Sequence, residues 1–213
     1  LSALPVTVMA TENIEADDAI AYISKQIYPD STKYIMSTDK DFLQLVDEKC
    51  CVWSPTKKVF YFDKEVKDMF GIMPQNLALL RAILGDKSDN IVGLKGAGIK
   101  TLKKAIPELF ADNELTLTEL HNTVSQYKKP AKVCTRLLDE FSTVELNYRL
   151  MQLYDVEVSA QSKESLINIV RKKSQGFDKP KFIRMLNEDA MWLVKDIELY
   201  LRTVWHPIEA FNR

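Results

Sequence analysis

The order of strand-like and helix-like patterns over the first third of the chain constrains the fold most strongly. Residues 4–9 form a short apolar run that is typical of a buried strand, and residues 15–27 carry apolar side chains at helical spacing. Residues 33–37 form another β-type run, which a short helix at residues 42–46 and a hairpin at residues 50–62 follow. Because strands and helices alternate, we predict an α/β core.

The pattern becomes helical after Asp63, which we place as the N-cap of a helix. Pro74 is expected to open a second helix through Leu84, and helical patterns continue almost to the C-terminus. We therefore predict two domains, an α/β part over residues 1–63 and a helical part over residues 64–213. Three aromatic residues near the C-terminus are expected to cap the helical part, with docking of a partner as the alternative: Trp192, Tyr200 and Trp205.

Composition and charge exclude several classes of protein. Of the 213 residues, 46% are apolar and 28% are charged, which is typical of a globular protein, and no apolar stretch approaches the ~18 residues of a membrane-spanning helix. The three cysteines have no ligand-like spacing, so we expect a reduced, cytoplasmic protein without membrane contact. The net charge of −1 argues against general nucleic-acid binding, but acid-poor basic blocks at residues 91–106, 120–138 and 171–184 favour local phosphate contact.

Three groups of acidic side chains lie where predicted elements begin or end. The groups are Glu15, Asp17 and Asp18 at a helix start, Asp39 and Asp41 after a strand, and Asp86 and Asp89 in a loop. Each group alone is more often structural, since acids stabilise a helix N-terminus and occur in turns. Together, seven carboxylates without a supporting histidine are hard oxygen ligands that suit Mg²⁺ or Mn²⁺ rather than zinc. A two-metal site for phosphodiester hydrolysis by water needs about this many.

Three glycines within six residues mark a second motif, at residues 85–105. Gly93, Gly96 and Gly98 let the backbone approach a ligand closely, and the last of them opens a helix whose free N–H groups favour an anion. The segment resembles a helix–hairpin–helix loop, which holds a DNA backbone without reading bases. A glycine-rich turn packed between helices is the alternative. The predicted DNA-binding residues are Gly93, Lys95, Gly96, Gly98, Lys100, Thr101, Lys103 and Lys104.

The motifs together resemble the 5′ nucleases, a family that includes the N-terminal nuclease domain of bacterial DNA polymerase I, phage 5′ exonucleases and the flap endonucleases. The resemblance lies in residues 14–19 (IEADDA), 37–45 (STDKDFLQL) and 85–101 (GDKSDNIVGLKGAGIKT), and order and spacing agree over residues 6–105. The hairpin sequence Trp53-Ser54-Pro55 is also similar to the phage enzyme called ribonuclease H, which is a weaker indication.

The resemblance implies a PIN-like (resolvase-like) α/β fold with a parallel-sheet core and a mostly helical helix–three-turn–helix region. It implies a structure-specific 5′-3′ exonuclease or flap endonuclease that cleaves branched or nicked DNA and RNA primers during replication. A non-catalytic DNA-binding module of the same fold is the alternative. Such a module has no use for all seven carboxylates, which favours the enzyme.

Motif position in the family also implies a role for each acidic residue. Glu15, Asp17 and Asp18 would hold one metal ion, and Asp39, Asp41 and Asp89, with Asp86 near, would hold the other. Five of these are the expected catalytic residues: Glu15, Asp18, Asp39, Asp41 and Asp89. Residues 93–100 would bind the downstream duplex, with backbone carbonyls able to hold a K⁺ ion.

The chain departs from the family at its N-terminus. Family members start with a strand that carries a metal-ligand aspartate, followed by a helical arch with a catalytic lysine or arginine, and neither precedes Val6. We therefore expect residues 1–63 to be the C-terminal part of an N-terminally truncated core. Either the sequence is a fragment or its N-terminal portion is a separate polypeptide, so the protein would be a monomer or a split heterodimer. We expect these 213 residues alone to be weakly active or inactive and an N-terminal piece to complete the site.

Overall fold

The computed structural model of the chain describes residues 3–172 and 176–188, together with residues 196, 199, 202 and 203. These residues form two compact units, one over Glu15–Val158 and the other over Leu1–Ile14 with Ser159–Arg213. The expected domain boundary after residue 63 lies inside the first unit, because one apolar core runs from the sheet into the helices. The aromatic cap expected near the C-terminus lies outside the described residues.

The first unit opens with the predicted helix and strand. Helix α1 spans Ala16–Tyr22 and continues as a π-helical segment over Ile23–Ile27, which confirms the amphipathic pattern. Strand β1 spans Lys33–Met36, and a 3-10 helix over Asp41–Leu45 follows it. The 3-10 helix buries four of its five side chains, so the loop that enters it is anchored to the core.

The sheet of the first unit has three strands in the order β1-β2-β3. Strand β2 (Cys50–Ser54) is parallel to β1 and antiparallel to β3 (Val59–Tyr61), which confirms the predicted hairpin. The register pairs Ile35 with Val52 and Val52 with Tyr61, so these three buried side chains form the inner face of the sheet.

The predicted strand at residues 4–9 is wrong. Residues 6–10 have no strand pairing, and the side chains of Val6 and Val8 are 45% and 58% exposed. An apolar run becomes a strand only where a neighbouring strand satisfies its backbone N–H and C=O groups. The segment instead belongs to the second unit, where the Ala3 carbonyl accepts a 3.0 Å hydrogen bond from the Asp178 N–H.

Beyond the sheet, every regular element longer than two residues is helical within the described ranges. Helix α2 begins one residue before the predicted start, with Phe62 rather than Asp63 as its N-cap, and Gly71 ends it with a φ of +71°. The elements are α2 (Asp63–Phe70), a 3-10 turn (Pro74–Asn76), α3 (Leu77–Leu84), the short hairpin strands β4 (Gly85–Asp86) and β5 (Ile91–Val92), α4 (Ile99–Ala105), a second 3-10 turn (Pro107–Phe110), α5 (Leu117–Ser125), α6 (Lys132–Asp139), α7 (Phe141–Met151), α8 (Ala160–Arg171) and α9 (Lys179–Glu188). No helix of the described residues is long and apolar enough to cross a membrane.

Two buried amides tie helix α7 to the rest of the first unit. The Asn147 amide donates hydrogen bonds to the carbonyls of Ala82 (3.0 Å) and Val92 (2.9 Å). The Gln44 amide, which is fully buried, donates to the Met151 carbonyl at 2.9 Å and accepts from the Leu153 N–H at 2.8 Å. Because buried amides are costly to leave unpaired, α7 and the segment after it are held in one place.

The β4–β5 hairpin forces two backbone segments into contact at glycines. A Cβ atom on Gly93 would lie 1.9 Å from the Leu84 carbonyl oxygen, and one on Gly85 would lie 2.2 Å from the Gly93 nitrogen. Gly85 also has a φ of +74°, which disfavours any side chain. Close backbone approach therefore requires glycine at both positions.

We predict that Gly93→Ala lowers the free energy of unfolding by about 1–3 kcal/mol, because the new methyl group overlaps backbone atoms that cannot move away freely. Urea unfolding followed by circular dichroism measures the change. Gly176→Ala is the matched control, since a Cβ there meets no atom within 4 Å. Equal stability of the two variants would show that the backbone contact is absent.

Candidate metal centre

Six of the seven predicted metal ligands line one cleft of about 820 Å³ in the first unit. They come from three separate places in the chain: Glu15, Asp17, Asp18, Asp39, Asp41 and Asp89. The cleft is also lined by α7 and the segment after it, including Leu146, Arg149, Leu150, Gln152 and Glu157. The predicted acidic groups therefore meet in space, although 74 positions separate Glu15 from Asp89 in sequence.

Local structure explains where the first two acidic groups lie. Glu15 is the N-cap residue of α1, and Asp17 and Asp18 lie in its first turn, where negative charge is favoured by the helix dipole. After β1, the Asp41 N–H donates to the Asp39 carboxylate at 2.9 Å, and the Asp39 N–H donates to the Ser37 hydroxyl at 3.0 Å. The turn is thus built from its own side chains, which is typical of Asp and Ser.

The two residues of the third acidic group, Asp86 and Asp89, have different environments. Asp89 is exposed and lines the cleft from the turn between β4 and β5. Asp86 does not line this cleft, but it lines a neighbouring pocket together with Asp39 and Asp41. One of its oxygens accepts from the Ser88 N–H and hydroxyl and the other from Arg81 Nη2 at 2.7 Å. These bonds to Ser88 and Arg81 lower the pKa of Asp86 to about 2, and they connect Asp86 to the turn that carries Asp89.

The carboxylates of the cleft destabilise one another. Burial raises the pKa of Asp18 above its usual value, and the neighbouring charges of Asp17 and Glu15 raise it further. Burial also raises the pKa of Asp41, where Arg81 acts in the opposite direction and Asp39 adds to the rise. Raised carboxyl pKa values mean that the negative charge is incompletely compensated, and a divalent cation in the cleft would compensate it.

The donor set fits a hard divalent cation, although no ready-made ligand cage exists. Within the described ranges, no three Asp, Glu, His or Cys side chains are grouped at ligand spacing around one point. Mg²⁺ is compatible with such an open arrangement, because it keeps several of its waters and commonly takes only one or two carboxylates directly. The six carboxylates supply oxygen donors only, which disfavours zinc.

The site includes two arginines, Arg149 and Arg81, that sequence patterns did not indicate. Arg149 is the only basic residue among those lining the cleft in the described part of the chain. Its ion pair with Glu157 is 3.4 Å long between side chains that are 67% and 87% exposed, so the pair contributes little and leaves the guanidinium available. Arg81 bridges Asp41 and Asp86 from α3. Neither arginine lies in a motif, and only their contacts point to them.

The predicted DNA-binding residues lie on α4 and in the loop before it, and most of them are exposed. The side chains of Lys95, Lys100, Thr101, Lys103 and Lys104 are all exposed, and Gly96 is exposed with a φ of +81°. Gly93 and Gly98 are half-buried, the latter as the N-cap residue of α4. Two loop carbonyls are already used, because Leu94 accepts from the Ala97 N–H and Lys95 accepts from Arg136. Binding of K⁺ therefore stays a prediction for the remaining carbonyls.

Comparison with known proteins finds similarity to 5′-3′ exonucleases and to DNA polymerase I. A family model described as "5'-3' exonuclease, N-terminal resolvase-like domain" matches residues 1–71. The 5′-3′ exonuclease of Aquifex aeolicus is 29% identical over 181 residues, which cover 82% of this chain and 59% of that protein. DNA polymerase I of Bacillus subtilis is 29% identical over 197 residues, which cover 88% of this chain and 21% of the polymerase.

Solved structures agree on the fold. The T5 D15 protein co-crystallised with metal ions superimposes with a TM-score of 0.62 at 22% identity, over 76% of this chain and 62% of that one. A T5 D15 flap endonuclease complex with DNA and metal ions has the same TM-score and identity. The likeness establishes the resolvase-like fold, and the chain spans only part of the length of these proteins.

We predict that Asp18→Asn stabilises the protein at pH 7 when divalent metal is removed with EDTA. The raised pKa of Asp18 shows that the folded state disfavours the charged carboxylate. The gain should shrink as pH falls through the raised folded pKa and should vanish below the unfolded value of about 4, where the carboxyl is protonated in both states. Thermal unfolding measures the gain, with Asp139→Asn, an exposed acid at the end of α6, as the control.

A second arm of the same measurement adds Mg²⁺. The parent protein should gain more thermal stability from Mg²⁺ than Asp18→Asn does, because binding to the folded state alone stabilises it. A variant that is less stable than the parent in EDTA at pH 7 would contradict repulsion in the cleft.

Proposed function

We propose that this chain is a 5′-3′ exonuclease whose acidic cleft hydrolyses phosphodiester bonds near the 5′ end of branched or nicked DNA, including RNA primers at replication intermediates. The observation that carries the proposal is the meeting of six carboxylates from three separate elements in one cleft that Arg149 also lines. A carboxylate-only donor set in a cleft of this size suits phosphoryl chemistry with a divalent cation better than nucleophilic catalysis by a side chain.

The six carboxylates of the cleft bind the metal ions in this proposal. Glu15, Asp17 and Asp18 hold one divalent ion, and Asp39, Asp41 and Asp89 hold a second. Bound ions of this kind supply a water of lowered pKa and neutralise charge on the phosphate oxygens. The six carboxylates position those ions and, with the ions absent, repel the substrate. Cleavage should therefore be strictly dependent on Mg²⁺ or Mn²⁺.

Arg149, which lines the same cleft from α7, is proposed to bind a substrate phosphate. A guanidinium pairs with phosphate oxygens through two parallel hydrogen bonds, which orients the group as well as attracting it. Leu146 and Leu150 lie one turn apart on the same helix and are 55% and 64% exposed, so they offer an apolar surface to the neighbouring nucleotide. These three residues of α7 would then hold the substrate strand, while the six carboxylates hold the ions needed for hydrolysis.

The exposed lysines of α4 are proposed to hold the duplex by its phosphates. They lie with Thr101 on one short helix and the loop before it, in a block of sixteen residues without an acid. Contacts of this kind fix the position of the protein on DNA and carry no sequence information. The protein should therefore recognise the shape of a branched substrate and not its base sequence.

A further segment that completes the fold, in the same chain or in a separate one, is part of the proposal. The outer face of the sheet carries apolar side chains that are largely exposed, namely Tyr34 (67%), Met36 (73%), Phe60 (43%) and Phe62 (50%). Parallel strands such as β1 and β2 are normally covered on both faces, so this face suits a further layer of protein. We propose that the layer corresponds to the part of the exonucleases that this chain does not match, and that the pair works in the cytoplasm.

We predict Mg²⁺-dependent cleavage of labelled 5′-flap DNA by the chain together with the unmatched part of the Aquifex aeolicus exonuclease, and weak or no cleavage by the chain alone. Asp39→Asn and Asp89→Asn should each lower the rate by more than about 100-fold, the upper end of what loss of an indirect metal contact costs. Asp139→Asn, an exposed acid on α6, is the control.

The alternative function has a distinct outcome in the same experiment. If neither mixture cleaves while Asp39→Asn and Asp89→Asn bind flap DNA as the parent does, the chain is a DNA-binding module and not a nuclease.

We predict that Lys100→Ala weakens binding to unrelated DNA sequences by a similar factor and lowers the slope of log K against log salt by about one. Fluorescence anisotropy at several salt concentrations, with EDTA to prevent cleavage, measures both quantities. Lys57→Ala, in the exposed turn between β2 and β3, is the matched control. A loss that depends on base sequence would contradict phosphate contact.

A further inference from the structure

Arg81 links two loops that line the acidic cleft but that belong to different elements. Its side chain is only 14% exposed and extends from the last turn of α3. Nη1 forms an ion pair with Oδ1 of Asp41, and Nη2 bonds Oδ2 of Asp86 at 2.7 Å. Asp41 begins the 3-10 helix after β1, whereas Asp86 belongs to β4. One guanidinium therefore fixes the two loops relative to each other.

Each acid that Arg81 contacts also forms a hydrogen bond in a turn that carries a carboxylate of the cleft. The second oxygen of Asp86 accepts from the Ser88 N–H at 2.8 Å, which shapes the turn that carries Asp89. On the other side, the Asp41 N–H bonds the Asp39 carboxylate at 2.9 Å. Arg81 thus lies between two short series of polar contacts, one reaching Ser88, the neighbour of Asp89 in the same turn, and the other reaching Asp39.

The chemistry of this bridge depends on the guanidinium shape. Five N–H donors in a fixed plane can serve two carboxylates at once, whereas a lysine ammonium acts as a single point charge. A largely buried ion-pair network is also weak support for stability, because apolar residues of similar volume often replace such networks at no cost. The more specific consequence of the bridge is the orientation of the acids that it holds.

We propose that Arg81 is a positioning residue that keeps Asp39, Asp41 and Asp89 facing the same cleft, an inference that rests on the proposed metal-dependent function. Arg81 does not touch the metal ion or the substrate in this scheme. It holds one oxygen of Asp41 so that the carboxylate keeps a single orientation, and it holds the turn of residues 86–90 through Asp86. Loss of Arg81 should therefore weaken metal binding before it affects anything else in the cleft.

The test measures Mn²⁺ binding directly, by the electron paramagnetic resonance signal of the free ion, on the intact chain. Arg81→Met should weaken Mn²⁺ binding by about 10–100-fold, the usual effect of removing a group that orients a metal ligand. Arg81→Lys should lie between Arg81→Met and the parent, since an ammonium can pair with only one of the two acids at a time. Lys67→Met, which breaks the exposed ion pair with Asp112 on the surface, should bind Mn²⁺ as the parent does.

Further measurements separate positioning from a general loss of structure. Urea unfolding identifies the folded fraction of each variant, and flap-DNA binding in EDTA reports on the surface of α4 without metal. Folded Arg81→Met with parental Mn²⁺ affinity would overturn the proposal, and so would a loss of DNA binding in EDTA as large as the loss of Mn²⁺ binding. If Arg81→Met does not fold, Arg81→Lys decides, and its parental affinity would overturn the proposal.

Mn²⁺ binding by the parent chain distinguishes a failure of this proposal from a failure of the proposed nuclease function. A parent that binds no Mn²⁺ overturns the metal-dependent nuclease and the role of Arg81 together. A parent that binds Mn²⁺, with variants that bind it equally well, overturns only the role of Arg81.

Discussion

Burial of helix α3 is the constraint on which both halves of the candidate site depend. Six of its eight residues are at most 1% exposed, and the helix packs against α7. Its one charged residue, Arg81, holds Asp41 and Asp86. The C-terminal end of the helix leads into the close backbone contact between Gly85 and Gly93, after which the chain continues to α4. Because the helix is enclosed by apolar contacts, the acidic loops and the basic surface are attached to one rigid element.

The acidic cleft shows a conflict between stability and function. Burial and neighbouring charges raise the pKa of Asp18 and Asp41, so the folded chain without metal tolerates negative charge that it would be more stable without. Functional sites commonly carry local arrangements that cost stability and are offset by the rest of the fold. Here the stabilisation comes from the apolar residues packed around α3. It also comes from Gln44, whose amide forms hydrogen bonds with the backbone of Met151 and Leu153, two residues that line the cleft.

Charge is also divided in space along the chain. The cleft collects six acids of the first ninety residues, whereas a block of four exposed lysines lies on α4 and its preceding loop. For a polyanionic substrate, this division means that attraction acts away from the cleft and that entry into the cleft requires the divalent cation. The arrangement is consistent with a protein that binds DNA through one surface and cleaves it at another.

Sequence patterns alone determined α1, β1, the β2–β3 hairpin and the helical character after Asp63, and they pointed to six acids that line one cleft, because each depends on spacing along one local segment. Only the tertiary structure decided the fate of residues 4–9, since a strand exists only where a neighbour pairs with it. Asp86 and Asp89 are equivalent by spacing, and the bonds of Arg81 and Ser88 distinguish the former from the latter. Arg81 and Arg149 lie in no motif, and distant parts of the chain had to meet before either could be assigned a role. The physical reason is the same in each case: local spacing sets which elements form, whereas the partners of a charged or backbone group are chosen by packing.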